Sequence, residues 1–466
     1  MYIYDSVQKT KLPFEPISKG EATIYVCGPT VYDDAHLGHA RSSLSFDLLY
    51  RTLKALDYRV TMGKNFTDID DKIIKKVQES GKSLKEITEF YIENYLREMD
   101  SLGVLRADIE PKATESLEAM ESMIEGLIQK DIAYLTADGD VYFDTSRDDK
   151  YGDISSMVGD DKDNQSRVAH TSNKRNPKDF ALWKACKGKD DICFDMSFSR
   201  GRPGWHIECS AMIEKHFVGD KNYSIDIHGG GADLLFPHHE NEASQSRCAT
   251  GRELSKYWMH NGFVQIDGEK MSKSLGNSFF LKDALAIYDG EILRYYLNGV
   301  HYRNDFNFSE EDLLLSKKRL DKIYRLKKRL TPSKSSTPTK EFKKSLLEAM
   351  SDDLNISIAL AKIDDMVASA NEGLDINPKD KNLKKETLAN IEFIDILLGF
   401  GGREPFEYFQ IGVDEELKNK IETLIGERTD AKKEKDFALS DTIRDEIISL
   451  GVAIMDTPDG TLWEKI

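Results

Sequence analysis

Strand-like and helix-like patterns alternate in two separate parts of the chain, and this alternation limits the fold more than any other feature. The first part runs to about residue 115, and the pattern resumes after about residue 205. Strands that alternate with helices form a parallel sheet with helices on its faces. The chain is therefore expected to contain one parallel-sheet domain that is interrupted by an insertion.

Other signals divide the rest of the chain. The insertion begins with a helix-like stretch from Thr114 to Lys130 and continues with a hairpin signal from Tyr134 to Asp144. From Ser309 the pattern is helical, with a glycine and proline break at residues 401–405. We predict an α/β protein in four parts: a Rossmann-like parallel-sheet domain (1–115 and 205–308), a connective insertion (116–204), a helical bundle (309–400) and a small C-terminal domain (401–466).

Four residues that are far apart in the chain have the chemistry to bind one zinc ion. His238 and Glu242 are four positions apart, so a helix that starts at Pro237 would project both side chains from one face. Cys27 follows an apolar run that is typical of a strand, and Cys209 opens a helix-like stretch. Strand ends and helix starts are where α/β proteins build sites. Two thiols, an imidazole and a carboxylate form a typical zinc ligand set.

Taken singly, these residues also have ordinary structural interpretations. A lone thiol is usually a small buried hydrophobe, and a His238–Glu242 pair more often lies on a helix surface. The remaining cysteines make poorer ligands, because Cys186 and Cys193 lie in a loop rich in lysine and aspartate and Cys248 falls off the His238 face. An odd number of cysteines, five, argues against a disulfide framework and for a reducing cytosol.

A candidate nucleotide site follows Cys27. His36 and His39 are three positions apart at the predicted start of a helix, so both can aim donors at phosphate oxygens. Gly38 leaves no side chain between the nucleotide and the backbone. Taken alone, two histidines around a glycine would more often cap the helix or lie on the surface.

A second nucleotide signature lies at Lys270–Ser274, after an apparent strand at Phe263–Ile266. Lys270 and Lys273 flank a loop of small residues, which can bring ammonium groups onto the β- and γ-phosphates as charge moves to the leaving pyrophosphate. A solvated lysine turn is the alternative for any Lys-x-x-Lys sequence. The same string downstream of His-x-Gly-His is seldom a coincidence.

At this point the chain resembles the class I aminoacyl-tRNA synthetases. His36–His39 is similar to their HIGH motif, with Leu37 in place of isoleucine, and Lys270–Ser274 to their KMSKS loop. Five further segments resemble the cysteinyl-tRNA synthetase family in particular: Cys27–Tyr32, Asn65–Lys72, Asp179–Lys184, Gly204–Cys209 and His228–Leu234. The resemblance extends over essentially the whole chain.

The resemblance implies ATP-dependent activation of cysteine to cysteinyl adenylate and transfer of cysteine to its tRNA. Zinc at Cys27, Cys209, His238 and Glu242 would accept the substrate thiolate and disfavour the hydroxyl of serine, so no editing domain should be required. Magnesium is expected with ATP. The implied catalytic residues are His36, His39, Lys270 and Lys273; ATP binding would add Gly38, Gly230 and Asp233; substrate binding would use Gly28, Thr67 and Trp205.

The Gly229–Gly231 run is also consistent with a nucleotide site. The run follows a strand-like segment and lets the backbone approach adenosine closely, while Asp233 can accept hydrogen bonds from ribose hydroxyls. A glycine run alone is equally consistent with a plain turn.

Charge and hydropathy limit the partners. The net charge of −17 does not favour an RNA partner, but basic residues cluster at Lys317–Lys344 and at Arg428–Lys435, and a basic stripe on an acidic body still attracts phosphates. A solvated helix face explains the first cluster equally well. Trp463 near the second cluster would stack on bases or, more commonly, pack in a core.

No run approaches the roughly 18 apolar residues of a membrane span, and the amino terminus carries no export signal, so a cytoplasmic protein is expected.

The partners expected from the resemblance are ATP, L-cysteine and the tRNA for cysteine, which the bundle at 309–400 and the domain at 401–466 would bind. Two other functions are considered: a ligase that passes activated cysteine to a small amine, and a noncatalytic RNA-binding descendant. The basic helices beyond the catalytic half disfavour the first. The presence of both lysines, both histidines and all four zinc candidates disfavours the second.

Overall fold

The structure is a computed structural model that describes residues 1–155, 173–188, 191–266, 269–270, 279–330, 334, 336–457 and 460–465, with only the backbone at 266, 269 and 270. The chain forms two compact units. The first contains Met1–Leu314 and Lys344–Lys362, and the second contains Leu315–Lys343 and Ile363–Ile466. The four-part division drawn from the sequence stays a prediction.

The first unit holds most of the strands. They are β1 (Tyr2–Asp5), β2 (Thr10–Pro13), β3 (Glu21–Val26), β4 (Arg59–Lys64), β5 (Ala133–Leu135), β6 (Val141–Phe143), β7 (Phe180–Ala185), β8 (Phe194–Asp195), β9 (Arg200–Pro203), β10 (Tyr223–Gly231), β11 (Glu253–Asn261), β12 (Val264–Ile266), β13 (Glu269–Lys270) and β14 (Phe306–Phe308). Its helices are α1 (Leu37–Ala55), α2 (Asp71–Ser80), α3 (Leu84–Ser101), α4 (Leu117–Gln129), α5 (Trp205–His216), α6 (Glu240–Thr250), α7 (Leu281–Ile287) and α8 (Gly290–Asn298).

A four-stranded parallel sheet in the order β11, β10, β3, β4 confirms the predicted Rossmann-like fold. The chain runs from β3 outward to β4 and later returns to β10 on the other side of β3. Binding sites in such sheets form where the strand order reverses, at the carboxyl ends of the strands. Here that point lies between β3 and β10, where the amide of Cys27 donates to the carbonyl of Gly229 at 3.2 Å.

Both central strands are mostly buried, and β10 buries the polar Ser224, Asp226 and His228 as well as apolar residues. Ile24, Tyr25 and Val26 of β3 are buried, as are Ile225 and Ile227 of β10. The resulting rigid sheet positions the loops that follow its strands.

A five-stranded antiparallel sheet lies between β4 and β10 along the chain, in the order β5, β6, β7, β9, β8. The predicted hairpin is present, with β5 antiparallel to β6. Cys186 and Cys193 form a disulfide beyond the end of β7. The expectation from cysteine number did not foresee this pair, because counting says nothing about two thiols that a loop brings together.

Three helices contribute residues to both units: α9 (Glu310–Leu330), α10 (Lys340–Ser351) and α11 (Ile356–Ile376). The second unit continues with α12 (Lys381–Leu398), α13 (Pro405–Tyr408), α14 (Glu415–Lys433), α15 (Phe437–Ser449), β15 (Val452–Thr457) and β16 (Gly460–Lys465). The last four elements enclose a small core of their own. In the described part of the chain, no helix combines the length and apolarity needed to cross a membrane.

Candidate active site and metal centre

The four predicted metal ligands converge at the carboxyl ends of β3 and β10. Cys27 Sγ lies 3.6 Å from Cys209 Sγ and 3.5 Å from Glu242 Oε1. His238 Nε2 lies 2.8 Å from Glu242 Oε1 and 3.9 Å from Cys209 Sγ. All four ligand atoms lie within 4.8 Å of one another. The structure thus brings together residues that are up to 215 positions apart.

The local backbone differs from the expected helix start. Helix α6 begins at Glu240, and His238 lies in an irregular turn, Leu235–His239, in which Phe236 has extended backbone angles. The side chains of His238 and Glu242 still meet at 2.8 Å, because the turn leads directly into α6 and leaves both residues on the same side of the chain.

Sequence reasoning missed two histidines in this cluster. His228 Nε2 lies 2.6 Å from Glu242 Oε2, and His239 Nε2 lies 3.4 Å from Cys27 Sγ. Together with Cys27 and Glu242 they make a second group of donors within 4.8 Å. His228 begins the segment His228–Leu234 noted above, and His239 lies between two of the predicted ligands. All residues of β10 from Ser224 to Gly230 are buried, so no alternation of burial marks His228.

Further aromatic rings surround His238. The indole of Trp205, the first residue of α5, stacks on the His238 ring with centroids 4.0 Å apart. His206 Nδ1 lies 2.9 Å from His238 Nδ1. Burial and the neighbouring His238 lower the pKa of His206 to about 3, so its neutral imidazole can hold the orientation of His238.

The charges within the cluster favour the anionic forms of Cys27 and Glu242, whereas burial and the neighbouring Cys27 raise the pKa of Cys209. Burial opposes the thiolate at Cys27, but the hydrogen bond with Cys209 and the imidazole of His238 hold the pKa of Cys27 well below its ordinary value. Burial also opposes charge on Glu242, yet His238 and His228 lower its pKa to about 2. Because protonated imidazoles balance these anions here, a metal cation that enters the cluster would replace their protons. The cluster can therefore hold a metal ion.

The predicted substrate residues lie beside the cluster. Asn65 connects them: its Oδ1 accepts from the amide of Gly28 at 2.8 Å and lies 3.7 Å from Cys209 Sγ, and its Nδ2 lies 3.4 Å from Thr67 Oγ1. The Thr67 hydroxyl in turn donates to Glu208 Oε2 at 2.6 Å. Thr67 and Glu208 are both buried.

Gly28→Ala is expected to disrupt this pocket, because a Cβ at Gly28 would lie 1.5 Å from the backbone oxygen of Asn65. The loop must move to relieve that clash, which separates Cys27 from Cys209. For the cysteine activation that the sequence resemblance implies, we expect a fall of about 10- to 100-fold, the range for losing the support of a metal ligand. The measurement is the cysteine KM and kcat for pyrophosphate exchange. Gly126→Ala is the matched control, since nothing lies within 4 Å of its Cβ, and equal activity in both variants would contradict the prediction.

The two histidines of the first ATP signature cap α1. His36 Nδ1 accepts from the amide of Gly38 at 3.1 Å, and His39 Nδ1 accepts from the amide of His36 at 3.2 Å. The rings stack 3.8 Å apart. A neutral imidazole that accepts at Nδ1 carries its proton at Nε2, so both rings hold an N–H donor on the side away from the helix backbone.

The chain that follows the second candidate nucleotide signature pairs with the backbone at the first one. Phe279–Leu281, just after the second signature, pairs with Ala35–Leu37 through two hydrogen bonds of 2.8 and 3.3 Å. Lys270 ends β13, whose backbone pairs with Gln265 of β12. Lys273 lies outside the described residues.

The glycine run ends β10 beside the metal cluster. A Cβ at Gly229 would lie 2.5 Å from the carbonyl oxygen of Met259, so the backbone must stay bare there, whereas a Cβ at Gly230 would meet only the movable end of the Leu234 side chain, at 2.7 Å. Asp233 lies in a short helical turn, Ala232–Leu234, that follows directly. These positions border the same sheet edge as Cys27.

In the second unit, some candidate RNA-binding residues are buried or paired within the protein and others are exposed to solvent. Trp463 is 2% exposed and donates to Glu422 at 2.6 Å, so packing in the core is its observed role. Phe437 is 65% exposed at the start of α15 and was not singled out from the sequence. Arg428 and Lys432 both bind Asp456, at 2.8 and 2.6 Å.

The basic residues of α9 likewise include both buried and exposed side chains. Lys327 is buried and donates to three carbonyl oxygens at residues 401–403. Lys318, Lys322 and Arg325 are exposed and follow one another at spacings of four and three, which places them on one face of α9.

The parallel sheet and the two sequence signatures together point to the class I aminoacyl-tRNA synthetases. Residues 13–318 match the family described as "tRNA synthetases class I (C) catalytic domain". Solved structures agree on the fold: Mycobacterium tuberculosis methionyl-tRNA synthetase in complex with methionyl-adenylate aligns with a TM-score of 0.59 at 15% identity, covering 81% of this chain and 92% of that one. Agrobacterium radiobacter K84 agnB2 LeuRS in a ternary complex aligns with a TM-score of 0.62 at 12% identity, covering 85% and 86%.

Curated relatives identify the particular family. The cysteine--tRNA ligase of Sulfurovum sp. (strain NBC37-1) is 75% identical over 465 residues, and that of Sulfurimonas denitrificans is 60% identical over 467 residues, each alignment covering 100% of both chains. The chain belongs to the cysteine--tRNA ligase family.

Proposed function

We propose that a zinc ion held by Cys27, Cys209, His238 and Glu242 selects the thiol of the substrate in the reaction that this chain catalyses, the ATP-dependent ligation of cysteine to its tRNA. The observation that carries the proposal is the convergence of two thiols, an imidazole and a carboxylate within 4.8 Å in a buried cluster. A donor set with two sulfurs suits zinc better than magnesium or calcium, which prefer oxygen.

Zinc bound there would act as a Lewis acid that binds a thiolate sulfur in preference to a hydroxyl oxygen. The surrounding residues orient its ligands: His228 holds Glu242, and His206 and Trp205 hold the ring of His238. Selection by coordination chemistry explains how the site rejects serine without a second site that hydrolyses errors.

ATP would bind at the carboxyl edge of the parallel sheet, next to the metal cluster. His36 and His39 would donate to phosphate oxygens from Nε2, and Gly38 and Gly230 would let the nucleotide approach the backbone. Asp233 would accept from ribose hydroxyls. Lys270 and Lys273 would balance charge on the departing pyrophosphate, with Mg²⁺ bound to ATP.

Lys273→Ala is expected to lower the rate of adenylate formation by on the order of 10²-fold, with a smaller effect on ATP affinity. The reason is that the ammonium gains most of its interaction energy as negative charge develops on pyrophosphate. Single-turnover adenylate formation and separate ATP titration measure the two quantities. Lys221→Ala, at an exposed position, is the control. A loss confined to ATP affinity would make Lys273 a ground-state ligand.

The tRNA would bind to residues of the second unit. Exposed Phe437 would stack on an unpaired anticodon base, and Lys318, Lys322 and Arg325 would bind tRNA phosphates. We assign residues 309–400 to the tRNA-binding bundle, 401–466 to anticodon recognition, and the reaction to the cytoplasm.

One experiment tests the function as a whole. Cysteine should support exchange of pyrophosphate into ATP, and serine should not. Exchange without charging of tRNA would favour the alternative with a small-amine acceptor. No exchange at all would favour a noncatalytic RNA-binding descendant.

A further inference from the structure

Cys186 and Cys193 form a disulfide that lies outside the metal cluster and that the proposed reaction does not use. Cys186 directly follows β7, and Cys193 directly precedes β8. Both strands pair with β9, and the amide of Cys186 donates to the carbonyl of Arg200 at 3.0 Å. The Cα atoms of the two cysteines lie 6.1 Å apart, a distance that a disulfide spans without movement of the backbone. The sheet therefore holds the two sulfurs close together whether or not they are bonded.

The environment of this pair differs from that of the other cysteines. Cys186 and Cys193 are both half-buried, and disulfides that solvent can reach react with small thiols more readily than those enclosed in a core. Cys27 and Cys209 belong to the metal cluster. Burial raises the pKa of Cys248 to about 11, which leaves little of the reactive thiolate. The disulfide pair is thus the best placed for reversible oxidation.

Ion pairs link the loop between the two cysteines to α2. Asp191, in that loop, accepts from Arg202 Nη1 through both carboxylate oxygens, at 2.8 and 2.9 Å. Arg202 Nη2 donates to Asp71, the first residue of α2, at 2.7 Å. Burial opposes the charge of Arg202, yet Asp71 and Asp191 raise the pKa of Arg202 above its ordinary value. The guanidinium therefore has one anchor on the disulfide loop and one on α2.

The space beside these ion pairs leaves room for the loop to shift. A cavity of about 420 Å³ is lined from α2 by Ile74 and Gln78 and from the loop by Lys187 and Gly188. The amide of Lys187 also donates to Asp191, at 3.1 Å, so the position of Asp191 depends on the backbone close to Cys186. Because no core side chain has to move, a change at the disulfide can alter the contact between Asp191 and Arg202.

We propose that Cys186 and Cys193 are a reversible disulfide site for low-molecular-weight thiols, and that the bond keeps Asp191 on Arg202 and so stabilises the start of α2. A thiolate of the small thiol attacks one sulfur of the bond, and the other cysteine leaves as a thiolate and takes up a proton. A second small thiolate attacks the mixed disulfide and departs as the small-molecule disulfide, and the first cysteine is released and protonated. Two electrons pass to the protein, and the reverse sequence oxidises it. The site is separate from the metal cluster and goes beyond the proposed function.

The first test equilibrates the purified full-length protein with mixtures of reduced and oxidised glutathione. Acid quenching, alkylation of the thiols and peptide mass analysis then measure the reduced fraction of each cysteine. The pair should change from about one tenth to about nine tenths dithiol as the ratio of squared reduced to oxidised glutathione concentration rises about 100-fold around the midpoint. Cys248 is the internal control and should not vary with the ratio. A pair that stayed oxidised, or stayed reduced, at every ratio would overturn the proposal.

Amide hydrogen exchange tests the contact with α2. In the reduced protein the amides of Lys72–Ile74 should exchange about two- to fivefold faster, the range for loss of one partly exposed ion pair, because Arg202 then loses one of its two anchors. A protein with both Cys186→Ser and Cys193→Ser should match the reduced form at every glutathione ratio.

Asp191→Asn removes the ion pair and keeps the disulfide, so it should show the faster exchange in both redox states. Asp195→Asn is the matched control, since that carboxylate pairs with Arg200 instead, and it should retain the redox difference. Equal exchange at α2 in the oxidised and reduced proteins would overturn the stabilising role of the disulfide, as would a redox difference that persists in Asp191→Asn.

Discussion

Replacement of Cys209 by serine is expected to remove zinc and to lower cysteine activation on the order of 10³-fold, while ATP binding stays near normal. Loss of a residue that only supports a metal ligand costs about 10- to 100-fold, and loss of a soft ligand itself should exceed that. Cys209 is fully buried, and its sulfur lies 3.6 Å from Cys27, so a hydroxyl there cannot replace the second thiolate. Metal analysis of the purified variant and the cysteine KM for pyrophosphate exchange provide the measurements.

Cys248→Ser is the matched control for this substitution. Cys248 is a half-buried thiol on α6, the helix that contains Glu242, but it is not part of either donor group in the cluster. That variant should retain about one zinc per chain and full activity. A Cys209→Ser protein with full zinc and normal cysteine affinity would show that another donor set, such as Cys27 with His228 and His239, binds the metal.

The fold could be predicted from the sequence because its strongest determinants are local. Short apolar patterns mark both central strands: β3 ends in the run Ile24–Val26, and apolar residues alternate with polar ones from Tyr223 to Ile227 of β10. The four candidate metal ligands could be proposed for a related reason: cysteine, histidine and glutamate at strand ends and helix starts are uncommon unless chemistry requires them. Local patterns thus identified which residues matter, and the sheet brought them together.

The remaining features depend on contacts that no local pattern encodes. Lys327 is one of several lysines in a basic stripe, and only the position of residues 401–403 shows that it binds carbonyl oxygens in the interior. Cys186 and Cys193 are paired by the course of the chain between β7 and β8. Trp463 and Phe437 are both aromatic residues near basic ones, but β16 places the first in a core and α15 exposes the second. Tertiary packing decides such cases.

The contacts around residues 405–412 show where a truncated protein should end if it is to separate amino acid activation from RNA recognition. The glycine and proline break suggests a cut near residue 405. However, Tyr408 lies beyond it, stacks on Tyr324 at 3.8 Å and donates to Asp321 at 2.8 Å. Truncation there would expose the buried ring of Tyr324. A cut after Gly412 keeps these contacts and removes α14, α15, β15 and β16, which share a separate core.

A protein that ends at Gly412 is expected to activate cysteine within about twofold of the full chain but to charge tRNA on the order of 10³-fold less efficiently. In the proposed function, activation uses small molecules that bind in the first unit, whereas charging also uses contacts of residues 413–466 with the anticodon. Stacking of one base on an aromatic residue contributes about 1–3 kcal/mol, so losing two or three base contacts accounts for the decrease. Pyrophosphate exchange and tRNA charging are measured on the same preparation, with thermal unfolding to verify the fold. Phe437→Ala in the full chain is the graded control and should lose only about 10-fold in charging. Normal charging by the truncated protein would remove residues 413–466 from RNA recognition and leave the exposed face of α9 as the main RNA contact.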